Sequence, residues 1–245
     1  MKKVYDTINQ YCVEHELLTN GDGIVIGLSG GMDSVCLLQV LAALRNEWQL
    51  RLVCVHVHHG IRGTAADEDA AFAQRLAAKY NIPFRLYEMD IPQLAKEQGL
   101  SEEEAGRNCR YRCFEEVRKE LNFDKIAVAH HREDQAETVL WQILRGSGLR
   151  GVCGMRAGRA NIIRPLLCLD RQQIEQIVRG NGDGWREDAT NREEKYTRNK
   201  IRNRVFPYIE QEIQPMARRH LVELAEDCQR AWDYIERQML EQYER

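Results

Sequence analysis

The sequence predicts an α/β protein, a doubly wound parallel sheet followed by a C-terminal helical appendage. Three observations carry that prediction. Short, largely apolar runs at 24–28, 52–57, 84–89 and 125–129 alternate with stretches of helical periodicity, the pattern of parallel strands covered by helices on both faces. A glycine-rich hexapeptide, Ser29-Gly30-Gly31-Met32-Asp33-Ser34, follows the first run directly. After about residue 145 the alternation gives way to Gly- and Arg-rich loops and then to helices.

Taken in order, Val4, Ile8, Tyr11, Cys12 and Leu18 stand at helical spacing over residues 4–18. Ile24-Val25-Ile26-Gly27-Leu28 reads as a buried strand, and Val35–Leu44 as the helix after it. A strand at Leu52–Val57, a helix at about 65–80 and a strand at Phe84–Met89 come next. Helices at about 92–97 and 102–120 then lead to a strand at Lys125–Ala129. This succession folds as a doubly wound sheet. Ala136, Val139, Leu140, Ile143 and Leu144 mark another helix, with more at about 170–179, 197–212 and 216–242. In the last, Leu221, Leu224, Cys228, Trp232, Ile235 and Met239 recur at three- and four-residue steps, one apolar stripe on a long helix. Such a stripe packs on the sheet domain, docks a partner, or begins a truncated region; a homodimer is among the assemblies it would serve. Residues 1–210 therefore read as a catalytic domain and 211–245 as a helical appendage.

At 245 residues and roughly 150 residues per domain, one large domain with an addition is expected. With 43% hydrophobic and 30% charged residues, the composition is that of an ordinary globular protein, which excludes disordered, collagen-like and membrane classes. No apolar stretch follows Lys2 and Lys3 to make a signal peptide. The run Val35–Leu44, interrupted by Gln39, is shorter than the roughly 20 residues of a membrane helix. A cytoplasmic protein without a membrane partner is expected. Cysteines 12, 36, 54, 109, 113, 153, 168 and 228 form no C-x-x-C pair, so free thiols are expected rather than a metal centre. The net charge of −3 argues against a surface basic throughout.

A glycine turn between a strand and a helix lets backbone N–H groups approach a phosphate while the helix presents its positive end. Ser29, Gly30, Gly31, Met32, Asp33 and Ser34 are therefore the nucleotide-binding candidates. The loop lacks the lysine of a Walker motif, which suits cradling a pyrophosphate better than transferring a terminal phosphoryl group. The same residues also suit a plain turn with Asp33 or Ser34 capping the helix. Gly146-Ser147-Gly148-Leu149-Arg150-Gly151 matches G-x-G-x-x-G formally, but it follows a helix rather than a strand and is expected not to bind a dinucleotide.

Two more strand ends carry polar clusters: His56-Val57-His58-His59-Gly60-Ile61-Arg62, and His130-His131-Arg132-Glu133-Asp134-Gln135-Ala136-Glu137-Thr138. The carboxyl ends of parallel strands border one crevice, so both clusters are expected beside the glycine loop. Asp134 and Glu137, at i and i+3, share a helix face. They suit the helix dipole, and equally a Mg²⁺ ion on ATP or a cationic substrate.

The string S-G-G-x-D-S resembles the signature of the PP-loop ATP pyrophosphatases, which implies an adenine nucleotide alpha hydrolase-like fold and cleavage of ATP between its α and β phosphates. Further motifs stand in order: His58-His59-Gly60-Ile61-Arg62, Arg107 with Arg110-Tyr111, His130-His131 through Asp134 and Glu137-Thr138, Arg145 to Gly151, Arg164-Pro165-Leu166-Leu167, Asp188 with Thr190-Asn191, and Arg198-Asn199 with Ile201-Arg202. From about residue 20 to 210 they resemble the tRNA(Ile)-lysidine synthetases. Glu133 stands where an aspartate is common and His58 where an asparagine is, which leaves roles at those two positions in doubt.

That resemblance implies a ligase using ATP, Mg²⁺, free L-lysine and a tRNA(Ile) with a CAU anticodon. Its base oxygen would be adenylated with loss of pyrophosphate, and the lysine amine would then displace AMP. By the same resemblance, residues 29–34 bind the triphosphate, and His56 and His58 border the adenine. Asp33, Arg107, Arg110, His130, Asp134 and Glu137 form the catalytic set, with Asp134 and Glu137 serving Mg²⁺ or the lysine ammonium. Between Arg145 and Arg164 lie five arginines and no acid, and Arg192 to Arg204 holds six Lys/Arg against Glu193 and Glu194. Such runs suit a solvated helix face or local phosphate contacts; Arg145, Arg150, Arg198 and Arg202 are the tRNA-binding candidates. Three rivals remain: a metal-dependent phosphoesterase on the His/Asp/Glu cluster, a PP-loop thiolase acting on tRNA, and a non-enzymatic nucleotide sensor or tRNA-binding module.

Overall fold

The computed structural model describes residues 2–58, 64–186 and 197–243. His59-Gly60-Ile61-Arg62, Asp188, Thr190-Asn191, Arg192, Glu193, Glu194 and Lys195, singled out in the sequence, lie outside the described residues. The chain folds into two compact units: Met1–Ala129 with Ala157–Glu187, and His130–Arg156 with Asp188–Arg245. These interleave along the chain, whereas the sequence reading cuts it once, at 210.

The first unit holds the sheet. Its elements are α1 (Lys2–Glu14), β1 (Gly23–Gly27), α2 (Met32–Leu44), β2 (Arg51–His58), α3 (Thr64–Lys79), β3 (Phe84–Glu88), α4 (Ile91–Gln98), α5 (Glu102–Glu120) and β4 (Lys125–Ala127). Two short strands and a helix complete it: β5 (Gly158–Arg159), β6 (Ile162–Ile163) and α8 (Arg171–Gly180). The strand order is β3-β2-β1-β4-β6-β5. All pairings are parallel except β5 with β6, and Ile24 faces Leu52 on one side and Lys125 on the other. The chain winds outward from β1 through β2 to β3 and returns at β4, so the winding reverses between β1 and β4. The carboxyl end of β1 at such a point is where an open α/β sheet binds ligands.

Helix α2 is apolar almost all round, and Val35, Cys36, Leu37, Leu38, Val40 and Leu41 are fully buried, as expected of a helix enclosed in the core. One core packs it with Ile24, Ile26, Leu52, Ile174 and Ile177. On the opposite sheet face, Val25, Val53, Val55 and Ile126 meet Cys109, Cys113, Phe114 and Val117 of α5. Local sequence sets the helix ends. Ser101 Oγ accepts from Glu104 N at 3.2 Å, and Glu102, Glu103 and Glu104 in the first turn oppose Arg118 and Lys119 in the last. Asp170 and Gln173 form a reciprocal capping box on α8, at 2.8 and 2.9 Å.

The second unit is helical: α6 (Arg132–Leu144), α7 (Leu149–Val152), α9 (Thr197–Lys200), a π-helical turn at Ile201–Val205, α10 (Phe206–Glu212) and α11 (Ala217–Tyr243). Its core is Ala136, Ile201, Phe206 and Val222, with Leu140 and Leu221 packed against it. The single helix expected at 197–212 is interrupted by the π turn, in which Phe206 N reaches back to Ile201 O. Pro207, without an N–H, sits just beyond the turn at the start of α10 and cannot donate to a carbonyl of the turn before it. Along α11, Ala217, Val222 and Ala225 are buried, while Leu224, Ile235 and Met239 of the expected stripe are exposed.

All eight cysteines are free thiols, and burial pushes those of Cys12 and Cys54 up to about 12. Among the described residues no helix is long and apolar enough to cross a membrane.

Candidate nucleotide site and carboxylate cluster

In the first unit, β1 ends at Gly27, where an added Cβ would sit 2.7 Å from Phe114 Cζ, so α5 packs directly against the strand end. Gly30 holds φ +89°, a left-handed conformation that glycine adopts without penalty. The loop is braced from within. Ser29 N and Gly30 N donate to Ser34 Oγ at 3.2 and 3.1 Å, and Ser34 Oγ–H donates to Gly31 O at 2.9 Å. The first N–H groups of a helix have no intrahelical partner, and Gly31 at the N-cap of α2 brings no side chain to them. A helix start of this kind suits an anion.

Two arginines that the sequence reading passed over complete this loop. Arg186 N donates to Gly30 O at 2.9 Å, and its guanidinium grips Asp69 and Glu68 of α3, both at 2.7 Å. Arg171, at the start of α8, places Nη1 3.0 Å from Asp33 Oδ1. No local pattern marks these arginines, because their partners lie more than 100 residues away in the chain.

His56 Nδ1–H donates to Leu28 O at 2.8 Å from a buried position. Burial lowers its pKa, with the Leu28 bond opposing, so the ring is a neutral brace between β2 and the residue before the loop. His58, at the end of β2, lies 3.3 Å from Asp67 Oδ1. Arg107 and Arg110 are exposed on α5. With Tyr111 and Phe114 they form an i, i+3, i+4, i+7 row. A helix joining parallel strands runs back along the sheet, so its N-terminal half, which carries both arginines, lies toward the strands' carboxyl ends. Arg107 lies 5.5 Å over the Tyr111 ring. Arg164 is buried, and burial, with Arg107 and Arg159 as neighbouring cations, lowers its pKa.

In the second unit, Asp134 and Glu137 do share one face of α6, and both are buried. All four carboxylate oxygens accept hydrogen bonds. Asp134 Oδ1 takes Arg198 Nη2 at 2.7 Å and Arg202 Nη2 at 3.0 Å, and Oδ2 takes His131 N at 2.9 Å. Glu137 Oε1 takes Arg202 Nε at 2.6 Å, and Oε2 takes Arg198 Nε at 2.9 Å and Arg202 Nη2 at 3.0 Å. Burial alone would raise the Asp134 pKa. The charges of His131, Arg198 and His130 and the His131 N–H outweigh it and hold the group at about 2. His131 Nδ1 meets Glu133 Oε2 at 2.8 Å.

A Mg²⁺ ion, like a lysine ammonium, would have to displace a guanidinium from this pair. Two guanidiniums already neutralise the pair and occupy its oxygens. Among the described residues no group of three or more His, Cys, Asp or Glu side chains is placed to hold a metal ion. The carboxylates form a cation-binding pair filled by the chain's own arginines. Arg198 and Arg202, expected to meet tRNA phosphates, point onto that pair instead. Of the acid-free arginine run, Arg156 pairs with Asp233 at 2.6 Å and Arg164 is buried, whereas Arg145 and Arg150 are exposed. Gly146-Ser147-Gly148 follows α6 and leads into the one-turn α7, so its glycines do not form a strand-to-helix nucleotide loop.

A family model described as a PP-loop domain matches residues 2–209. The chain belongs to that family. This PP-loop domain is 46% identical to a tRNA(Ile)-lysidine synthase of Caldanaerobacter subterraneus subsp. tengcongensis over 241 residues, covering 96% of the chain and 50% of that relative. It is 41% identical to the tRNA(Ile)-lysidine synthase of Clostridium perfringens, over 97% of the chain and 50% of the relative. The chain thus spans about half the length of the curated relatives it matches. Among solved structures, the U34-tRNA thiolase NcsA from Methanococcus maripaludis superposes with a TM-score of 0.71 at 18% identity, covering 92% of this chain and 78% of that one. An NH3-dependent NAD synthetase from Campylobacter jejuni gives 0.52 at 16% identity, over 94% and 93% of the two chains. At those identities the likeness is one of fold.

Proposed function

We propose that the chain carries the catalytic PP-loop domain of a tRNA(Ile)-lysidine synthetase. The reaction is ATP-dependent ligation of L-lysine to the wobble cytidine of a tRNA(Ile) with a CAU anticodon. One observation carries this reading: similarity to tRNA(Ile)-lysidine synthases runs across nearly the whole chain, through the phosphate loop and the Asp134/Glu137 helix alike.

In this reading the cytidine base oxygen attacks the α-phosphate and pyrophosphate leaves, giving an adenylated base. The lysine ε-amine then attacks the base carbon, AMP leaves, and the amine gives up a proton. The loop N–H groups of Ser29, Gly30 and Gly31, with the first turn of α2 through Met32, Asp33 and Ser34, hold the triphosphate. A nucleotide oxygen would replace Ser34 Oγ as the acceptor for the Ser29 and Gly30 N–H groups. His56 and His58 border the adenine. Arg107, Arg110 and His130 offset charge developing on the α-phosphate and the departing pyrophosphate. Asp134 and Glu137, already a cation-binding pair, receive the lysine ammonium in exchange for a guanidinium. Arg145 and Arg150 contact tRNA phosphate.

The test incubates the protein with labelled lysine, ATP and tRNA bearing CAU, omitting each component in turn. Label should enter tRNA only in the complete mixture, with AMP and pyrophosphate released. Incorporation that is unchanged by Asp134→Asn would remove the carboxylate role. Release of AMP or pyrophosphate that ignores the tRNA would remove the ligase reading itself.

A further inference from the structure

Two arginine–tryptophan pairs stand on the second unit, and the function proposed above gives their arginines a phosphate contact but their tryptophans no part. Arg145 Cζ lies 5.7 Å from the centre of the Trp141 ring, and Arg150 Cζ lies 5.9 Å from that of Trp232. Trp141 is 38% exposed, while Trp232 is half-buried on α11. Both arginines are exposed, and neither pairs with a carboxylate among the described residues. In this they differ from Arg156, Arg198, Arg202 and Arg218 of the same unit, each of which does.

The segment presenting these pairs is locked. Ser147 N and Oγ bond the Gln142 carbonyl and side chain at 3.0 and 2.7 Å. A Cβ on Gly151 would lie 2.4 Å from that of Ser147, so the chain turns as closely as glycine permits. Gln229 Nε2 of α11 donates to Cys153 O and Met155 O at 2.6 and 3.1 Å, which ties the helix carrying Trp232 to the segment carrying Arg150.

Each pair offers an apolar ring face and a cation whose outward N–H groups are free of carboxylate. A nucleotide lifted out of a duplex offers the complement, a flat base and one negative phosphate. Stacking on aromatic rings beside arginines is how unpaired nucleic acid is held without reading its sequence. A duplex keeps its base faces inside and has nothing to lay on Trp141.

We propose that Trp141 with Arg145 and Trp232 with Arg150 form a stacking platform for unpaired nucleotides of an RNA loop. This deepens the tRNA-binding part of the function proposed above and rests on it only for the identity of the RNA.

The experiment titrates the protein into two fluorescein-labelled RNAs, a stem–loop with CAU in its loop and a fully paired duplex of the same stem, and follows anisotropy. Trp141→Ala and Arg145→Ala should each weaken stem–loop binding about tenfold, the order expected for losing one stacked base. Trp141→Phe should retain most of the affinity, and duplex binding should move much less with Trp141→Ala. Because Trp232 is half-buried, Trp232→Phe and Arg150→Ala test the second pair without emptying the core. Stem–loop affinities unchanged in Trp141→Ala, or lost equally for duplex and stem–loop, would overturn the platform. So would competition by an acidic peptide as strong as that of the stem–loop. Lysine incorporation by the wild type separates the two ideas. Incorporation with a tolerant Trp141→Ala sinks the platform alone, and tryptophan-dependent loop binding without incorporation sinks the enzymatic reading alone.

Discussion

Replacing Arg202 by alanine tests the physical account of the carboxylate pair. Among the described residues Arg202 donates two hydrogen bonds to Glu137 at 2.6 and 3.0 Å and one to Asp134 at 3.0 Å. The Glu137 side chain is only 1% exposed, so its remaining charge would depend on Arg198 Nε at 2.9 Å. Removing one partner of a buried ion pair costs about 3–5 kcal/mol. Two features lower that here: Arg198 stays on both carboxylates, and the Arg202 side chain is 33% exposed, so water reaches the gap. The expected loss is about 2 kcal/mol. Urea unfolding in a Trp48→Phe/Trp185→Phe background would leave Trp141 and Trp232, both in the second unit, as reporters of that unit. With an m-value of about 2 kcal/mol/M the midpoint should fall by about 1 M. Adding Glu137→Gln should recover part of the loss, because a neutral amide no longer needs a counter-charge, giving a coupling of about 1 kcal/mol in the double-mutant cycle. A shift below about 0.5 kcal/mol, or strict additivity with Glu137→Gln, would refute the reasoning.

Other outcomes follow from the same geometry. Asp134 titrates at about 2 in the folded chain, below its unfolded value, so its contribution of about 2 kcal/mol is present above about pH 4 and is lost as pH falls toward 2; an identical acid-unfolding midpoint in Asp134→Asn would contradict this. Gly30→Ala forces a side chain into φ +89° and should cost about 1–2 kcal/mol in thermal or urea unfolding, with weaker ATP binding by calorimetry. The Arg171–Asp33 pair is well exposed at 52% and 33%, so Arg171→Ala should leave stability within about 1 kcal/mol; a larger fall in urea unfolding would show that the pair carries structural weight. The slope of log affinity for tRNA against log salt should drop by about one for Arg145→Ala and again for Arg150→Ala, and a wild-type affinity insensitive to salt would remove phosphate contact from the account.

Much of the first unit was legible in order along the chain. The all-apolar strands around Ile24, Leu52 and Ile126 and the all-apolar α2 carry their burial in their composition, since a segment without a polar face has nowhere else to go. Ser101 and Asp170 announce their helices through short side chains that reach backbone N–H groups three residues on. The β5–β6 hairpin was not legible: its strands are two residues each, and β6 is a strand because β4 lies alongside it. The π turn at Ile201–Val205 escaped too, because helical spacing over five residues does not distinguish one extra residue from none.

By itself the sequence determined the glycine loop between β1 and α2. Its strand, its glycines and its helix are consecutive, and hydrogen bonds spanning only two to five residues, from Ser29 to Ser34, shape it. It also determined that Asp134 and Glu137 share a face, through helical spacing alone. Only the tertiary structure decided what those carboxylates hold. Arg198 and Arg202 come from more than 60 residues away, and a charge run in sequence looks the same whether it faces solvent or a buried acid. Tertiary packing likewise separated Arg145 and Arg150, set over tryptophans, from Arg156, spent on Asp233. Charge depends on residue type, but its availability depends on which partner the fold brings within 3 Å.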